Sequence, residues 1–369
     1  MKYVATALCA LALTTTAATA GGIDRTTLSF SALFDKGRVL TTSLSSVSPD
    51  ISGTYLAGLG GGTTGNMAQS YASLSFSYKA DVNEKLSYAI YVNKPYGADA
   101  LYTMGAYTGL EAHWSSDQIA ALLKYRVSDR ASVFGGLRYV TSSATINIPA
   151  ALFAPNSAVL GNYSATAASD SQVGYVVGAA YEIPDIALRV SLAYQSEITH
   201  SFATAERFSV LNGGTTVNGT TDIKLPQSLT LDFQSGVAKD TLVFGSVRWS
   251  EWSQWHVRPG YYETVIKDEV TGFDNDVITY SIGVGRKLKD NFSVFARYGY
   301  EAPSGGVASR LSPTDGMSSF GVGGSWTKDN VKITGGVEYV KVGDALDGSG
   351  TQFTGNTALG IGMNVAFTF

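Results

Sequence analysis

The chain has 369 residues, of which 44% are hydrophobic and only 15% charged. Soluble proteins carry about 25% charge, so an ordinary solvated surface would be hard to build. A net charge of -4, from 26 basic and 30 acidic residues, lacks the cationic excess that neutralises phosphates and excludes a nucleic-acid partner.

The first element is an export signal. Lys2, an apolar run from Val4 to Leu13 and the small-x-small end Ala18-Thr19-Ala20 read as a cleavable signal peptide over residues 1–20. Cys9, the single cysteine, falls inside it, so no disulfide framework or cysteine metal site is expected. No later stretch of about 18 apolar residues follows, which excludes a helical membrane protein. Residues 21–37 form a second unit. Asp24 is positioned to cap a short helix whose apolar residues Leu28, Phe30, Leu33 and Phe34 partly share a face, with Gly37 ending it.

From residue 38 to 369 apolar and polar residues alternate, the signature of strands with two different environments on their faces. Leu188, Val190, Leu192 and Tyr194 share one face while Arg189, Ser191, Ala193 and Gln195 take the other. Leu229, Leu231 and Phe233 oppose Thr230, Asp232 and Gln234, and the chain ends on Ile361, Met363, Val365, Phe367 and Phe369. About fourteen such segments are predicted, at 38–48, 69–80, 85–95, 111–126, 131–142, 168–182, 186–199, 221–237, 241–253, 276–286, 291–301, 317–327, 331–341 and 357–369. Six connections are short and turn-like, such as Ile183-Pro184-Asp185 and Lys328-Asp329-Asn330. The seven others, near 49–68, 96–110, 143–167, 200–220, 254–275, 302–316 and 342–356, are long.

An even strand number, an apolar exterior and alternating short and long connections predict an all-β fold, a transmembrane antiparallel β-barrel in the bacterial outer membrane. A sheet in hydrocarbon must pair both edges, so it must close. Tyr78, Tyr88, Tyr125, Tyr139, Tyr181, Tyr194, Trp249, Trp326 and Tyr339 fall where aromatic girdles belong. The apolar residues 21–37 would then plug the lumen against small inward residues, Gly174, Gly178, Gly283, Gly285, Gly321, Gly323 and Gly336. A monomer in contact with outer-membrane lipid and lipopolysaccharide is expected.

The inward positions are mainly Ser, Thr, Gly and Ala, unlike a charged aqueous pore, and the third long loop is unusually apolar, which favours a hydrophobic ligand. The inward Arg138, Arg189, Arg248 and Arg297 could receive a carboxylate head group through paired guanidinium donors. For any single one of them the favoured reading is pairing within the wall, for instance Arg189 with Asp232. No enzyme, cofactor or metal is expected. No Gly-x-Ser-x-Gly elbow occurs, and His113, His200 and His256 are far apart, near strand ends or loops. Asp268, Glu269, Asp274 and Asp276 read as a solvated acidic loop rather than a calcium site.

The apolar segment before the barrel, the hairpin from Tyr181 to Val190, Leu225-Pro226-Gln227-Ser228 and Trp249-Ser250-Glu251-Trp252 resemble the FadL/TodX family of outer-membrane transporters. The resemblance covers essentially the whole mature chain, and is strongest from Gly174 to Trp255. It implies inward passage of long-chain fatty acids or aromatic hydrocarbons, a luminal hatch, and a third strand kinked near Asn93-Lys94-Pro95. It further implies a capture groove between two long loops, with Ile146, Ile148, Leu152, Phe153, Val159 and Leu160 on one and Phe202, Phe208, Val210 and Leu211 on the other. The family's Asn-Pro-Ala hatch start is absent.

Overall fold

The computed structural model describes residues 22–369; the expected signal over 1–20 lies outside them. Fourteen antiparallel staves close into one barrel. They are β1 (Val39–Asp50), β2 (Tyr71–Asp81), β3 (Leu86–Asn93, resuming at Gly97–Leu101), β4 (Glu111–Arg126), β5 (Ala131–Ile148), β6 (Tyr163–Ile183) and β7 (Leu188–Gln195, resuming at Ile198–Phe208). The rest are β8 (Val217–Leu225, resuming at Ser228–Ala238), β9 (Thr241–Ser250), β10 (Val277–Lys289), β11 (Phe292–Glu301), β12 (Met317–Lys328), β13 (Val331–Val342) and β14 (Thr357–Thr368). Each stave pairs with its sequence neighbours, and β1 seals against β14 from Val39↔Thr368 to Asp50↔Thr357. No helix among the described residues is long and apolar enough to cross a membrane, as befits a chain whose strands do the crossing.

The alternation read from the sequence is the radial direction of the side chains. Leu137, Tyr139, Val173, Tyr175, Leu192, Ile282, Phe320 and Ile361 stand exposed on the outside. Their neighbours Arg138, Val140, Gly174, Val176, Ala193 and Gly283 point in. Of the expected girdle, Tyr125, Tyr139, Tyr181, Trp326 and Tyr339 are among the exposed large side chains.

Four staves are longer than the sequence pattern suggested. Residues 143–148, 163–167, 200–208 and 217–220 continue β5, β6, β7 and β8 instead of forming loops. Above the lipid-facing band the alternation inverts, with Ile146, Ile148, Tyr163, Phe202 and Phe208 facing in and mostly Ser, Thr, Asn and Ala facing out, so the outward apolar run that marks the strands stops there. Cross-strand pairing holds them extended regardless.

The inward glycines have a different use from the one expected. Phe134, Phe244 and Phe295 sit in direct register with the inward Gly178, Gly283 and Gly323 on the adjoining stave, and Phe233 meets Gly245 in the same way on the outward face. A Cβ at each of these glycines would lie 2.3 to 2.6 Å from the ring opposite. The missing side chains make room for phenylalanines of the wall, not for the N-terminal segment. A barrel of this size thereby fills its interior with rings lying along the wall.

Gly245 is the tightest of these positions, since its Cβ would also fall 2.3 Å from the Ser281 carbonyl oxygen. Gly245→Ala should cost roughly 1–3 kcal/mol through overpacking, whereas Gly260→Ala, with nothing within 4 Å of the new carbon, should be near neutral. The temperature at which the compact, fast-migrating species disappears in unboiled SDS gels reports this. Equal temperatures for the two variants would refute the ring-over-glycine account.

Candidate functional site

Pro95 has no N–H, and it biases Lys94 to an extended conformation. The β3 ladder breaks there: Phe76↔Val92 is its last pair with β2 on this side, and contact resumes at the bridge Ala68↔Ala100. The freed backbone turns to the N-terminal segment. Arg25 N–H donates to the Pro95 carbonyl at 2.8 Å, Thr26 N–H to Lys94 at 3.0 Å, and Gly97 N–H to Ile23 at 2.8 Å. Asn93 Nδ2 adds a bond of 2.7 Å to the Thr26 carbonyl.

Asp24 caps no helix. Its carboxylate accepts from Arg248 Nη1 at 2.5 Å and Nη2 at 3.3 Å, tying the segment across the lumen to β9. The apolar stretch that follows makes a single 3-10 turn, Phe30–Phe34, without a side-chain cap. Phe30 and Leu33 are fully buried, and together with Leu28 they pack on Ala89, Tyr91, Ala120, Leu122, Phe134, Val176 and Ala193 of the inner wall. The Phe34 ring lies 4.5 Å from Lys124 Nζ and 4.6 Å from the Arg189 guanidinium carbon, where cations are attracted to the ring face.

Toward the long loops the interior is apolar. Ile146, Ile148, Phe153, Leu160 and Phe208 are buried together with Tyr163 and Tyr262, and Leu152 and Leu211 pack at the margin. Phe153 and Phe208 rings are 5.7 Å apart, and Tyr163 lies 4.9 Å from Phe208. Ile146, Ile148, Phe202 and Phe208 reach this interior from the inward faces of β5 and β7 rather than from loops. Phe202 falls in a neighbouring cluster, 5.6 Å from Trp114, whose ring is 6.1 Å from Trp255. Val159 and Val210 are exposed and do not join. Trp114, Ile146, Ala167, Ile223 and Trp255 line an apolar cavity of about 70 Å³.

Glu206 holds the roof of this region, and sequence reasoning passed over it. Its carboxylate accepts from the Tyr261 and Tyr262 N–H groups at 3.0 and 2.8 Å and from the Tyr163 hydroxyl at 2.9 Å. A loop helix, Gly260–Ile266, is thereby fixed over β7. The signal was present: an acid at an inward position between Thr204 and Phe208. Burial, then the Asp268 charge, pushes the Tyr262 phenol up to about 12, so that phenol stays neutral throughout the physiological range.

Below lies a larger cavity of about 200 Å³, bordered by Leu28, Arg189, Asp232, Arg248, Arg297 and Glu338. Three of the four predicted arginines therefore gather. Each already has a polar partner: Arg297 donates to Glu338 at 2.6 Å, Arg248 to Asp24, and Arg189 to Gln234 at 3.1 Å rather than making the expected bond to Asp232. Arg138 stands apart from this cavity, 1% exposed, donating at 2.6 Å to the Ser196 carbonyl.

The histidines remain separate, each beside a carboxylate: His113 on Asp99, His200 on Asp170 at 2.8 Å and His256 on Glu269 at 2.8 Å. His200 is fully buried rather than superficial. Glu269 also accepts from Arg258, while Asp276 accepts from Trp249 and Ser253. Among the described residues no group of three or more acidic or histidine side chains gathers to hold a metal.

A closed barrel with an apolar outer chamber, a polar-rimmed inner cavity and an N-terminal segment folded into its lumen defines an outer-membrane β-barrel protein. The family profile described as outer membrane protein transport protein (OMPP1/FadL/TodX) matches residues 11–369, and the chain belongs to that family. Its fold is similar to a FadL homologue of Pseudomonas aeruginosa, with a TM-score of 0.72 at 12% identity over 92% of each chain. It is also similar to the Ralstonia pickettii toluene transporter TbuX, at 0.63 and 13% over 92% of this chain and 91% of that one. The Pseudomonas putida toluene transporter TodX gives 0.62 and 13%, over 95% and 96%. No curated protein matches the sequence.

The Asp24–Arg248 pair gives a test of how the N-terminal segment is held. Asp24→Asn should leave a buried guanidinium without its counter-charge, a loss of about 3–5 kcal/mol. Limited trypsinolysis at Arg25 in the folded barrel should then be strongly accelerated. Unchanged protection would show that the segment is held without this pair.

Proposed function

We propose that the protein is a passive channel for hydrophobic molecules, and that its cargo is long-chain fatty acids. The observation that carries this reading is the order of environments along the lumen: apolar side chains under the loops, then a cavity bordered by Arg189, Arg248 and Arg297. An acyl chain gains by leaving water for the first. Its carboxylate could exchange for Gln234 or the paired acids at the second, where guanidinium forks match carboxylate geometry.

Ile148, Leu152, Phe153, Leu160, Phe202 and Phe208 are the residues proposed to capture the chain, with the four arginines, Arg138 included, offered to the head group. The turn bearing Phe30 and Leu33 is proposed as a plug that shifts to let cargo pass into the periplasm, a movement that requires no energy source when cargo flows down its gradient. The protein is read as a monomer surrounded by outer-membrane lipid and lipopolysaccharide and delivered there by its signal peptide. One observation favours a second cargo: the small cavity walled by Trp114 and Trp255 would suit a monoaromatic hydrocarbon, since ring edges and faces pair favourably. A structural or adhesive barrel without transport would leave these apolar surfaces without a purpose.

Deleting the gene should lower oleate uptake by the cells while leaving small-sugar uptake unchanged; equal oleate uptake would sink the fatty-acid reading. In the purified barrel, Leu152→Asp with Phe153→Asp should weaken oleate binding by about tenfold or more, as each 1.4 kcal/mol lost from apolar contact costs a factor of ten. Competition by toluene against labelled oleate distinguishes the two cargoes, with effective displacement by toluene alone favouring the hydrocarbon.

A further inference from the structure

The wall has a second interruption, on a different side from the kink in β3. Below it, β6 and β7 pair from Ile183↔Leu188 up to Val176↔Gln195; above it they pair from Ala167↔Thr204 up to Tyr163↔Phe208. Between these ladders, residues 168–174 of β6 face residues 197–203 of β7 without strand pairing, over about 20 Å at the usual rise per residue. Both staves are irregular here. Strand β6 shifts register against β5 between Ser142 and Ala144, and β7 is broken at Ser196 and Glu197.

Side chains close the seam. His200 Nδ1 contacts Asp170 Oδ2 at 2.8 Å across it. At its lower end Ser196 N–H donates to the Tyr175 carbonyl at 3.0 Å and Ser196 Oγ accepts from Tyr175 N–H at 3.0 Å. Arg138 donates to the Ser196 carbonyl from inside. Backbone without ladder partners is costly against hydrocarbon, and the seam sits where the lipid-facing band ends. Val173 and Tyr175 are exposed at its lower edge, and Tyr175 meets Tyr194 at 5.9 Å in the girdle. Higher up the outward residues are Ser169, Ser171, Thr199 and Ser201.

Behind the seam the molecule is apolar. His200 stacks on Phe202 at 5.2 Å, and Phe202 meets Trp114. Ala167 and Thr204, the pair that bounds the seam above, also line the cavity walled by Trp114 and Trp255. Polar atoms buried beside it, Trp114 Nε1, Arg138 Nε, Ser142 Oγ and His200 Nε2, have no hydrogen-bond partner. Three of these four residues are on β5 or β7, the staves that flank or form the seam.

We infer that this seam is a lateral port: it parts between β6 and β7 to admit a single-chain amphiphile, an acyl chain with an anionic head group, from the outer-leaflet boundary into the apolar chamber. The Asp170–His200 contact is its latch. The buried donors Trp114 Nε1 and Arg138 Nε await the head group, and the chain slides along Phe202 toward Trp255. The port rests on the reading of the chain as a channel for acyl cargo, and adds a route that bypasses the loop roof held by Glu206.

The test ties the seam shut. In a background with Cys9→Ser, the pair Asp170→Cys and His200→Cys is oxidised in cells, and bond formation is verified by mass spectrometry of the purified barrel. Oleate uptake should fall by about tenfold, a barrier change of about 1.4 kcal/mol, and return on reduction. Ser132→Cys with Ala180→Cys, which faces a continuous ladder, should be indifferent to oxidation. A tied seam that passes oleate at the reduced rate would overturn the port. A second readout does not depend on transport: a fatty acid carrying a diazirine at its chain end, loaded into outer-membrane vesicles and irradiated, should label peptides containing residues 168–174 or 197–203. Labelling confined to the β2/β3 opening would overturn the port. If no variant takes up oleate yet the seam is labelled, the cargo reading fails and the port stands.

Discussion

Everything in this molecule depends on one constraint: a backbone amide facing hydrocarbon must find its partner within the protein. The twelve residue pairs between β1 and β14 meet it by closing the sheet. Once closure is imposed, the places where pairing lapses become the informative ones, because each must be satisfied by something else. At Lys94 to Gly97 the N-terminal segment supplies the bonds. At the β6/β7 seam, side chains of Ser196, Asp170 and His200 stand in for a ladder.

The interior follows from the same closure. A closed wall of this size has to be filled or left as a water channel. Here rings from one stave lie over glycines of the next, so the wall thickens inward without side chains projecting straight across the lumen. Residual space divides into an apolar chamber under the loops and a polar-rimmed cavity near the N-terminal turn. The low charge content is the sum of these choices: outward positions face lipid, and inward ones are mostly rings, glycines and small polar residues.

Charges inside are few and matched. Arg248 with Asp24, Arg297 with Glu338 and Glu206 with two amides and a phenol each set a buried charge against hydrogen-bonding partners, as a low-dielectric interior requires. They also join elements far apart in sequence. Arg248 fixes the N-terminal segment to β9, and Glu206 fixes a loop helix over β7. In both cases ion chemistry sets the position of a part that lies within or over the barrel.

Composition and period two determined the architecture, because each residue's environment on a single-layer wall depends only on whether it faces in or out. Strand number, the short turns and the girdle aromatics were legible for that reason. So was the apolarity of Leu28, Phe30 and Leu33, although not that Phe30 and Leu33 lie in a 3-10 turn while Asp24 reaches across to Arg248. The extended upper ends of β5 and β7 were not legible, since outside the lipid band the alternation inverts, Ile146, Ile148, Phe202 and Phe208 facing in, and the outward apolar run that distinguished strand from loop stops. Register was the decisive missing quantity. Which phenylalanine lies over which glycine, which carboxylate meets which arginine, and where β6 and β7 part are cross-strand relations among residues distant in sequence, and only the closed barrel fixes them.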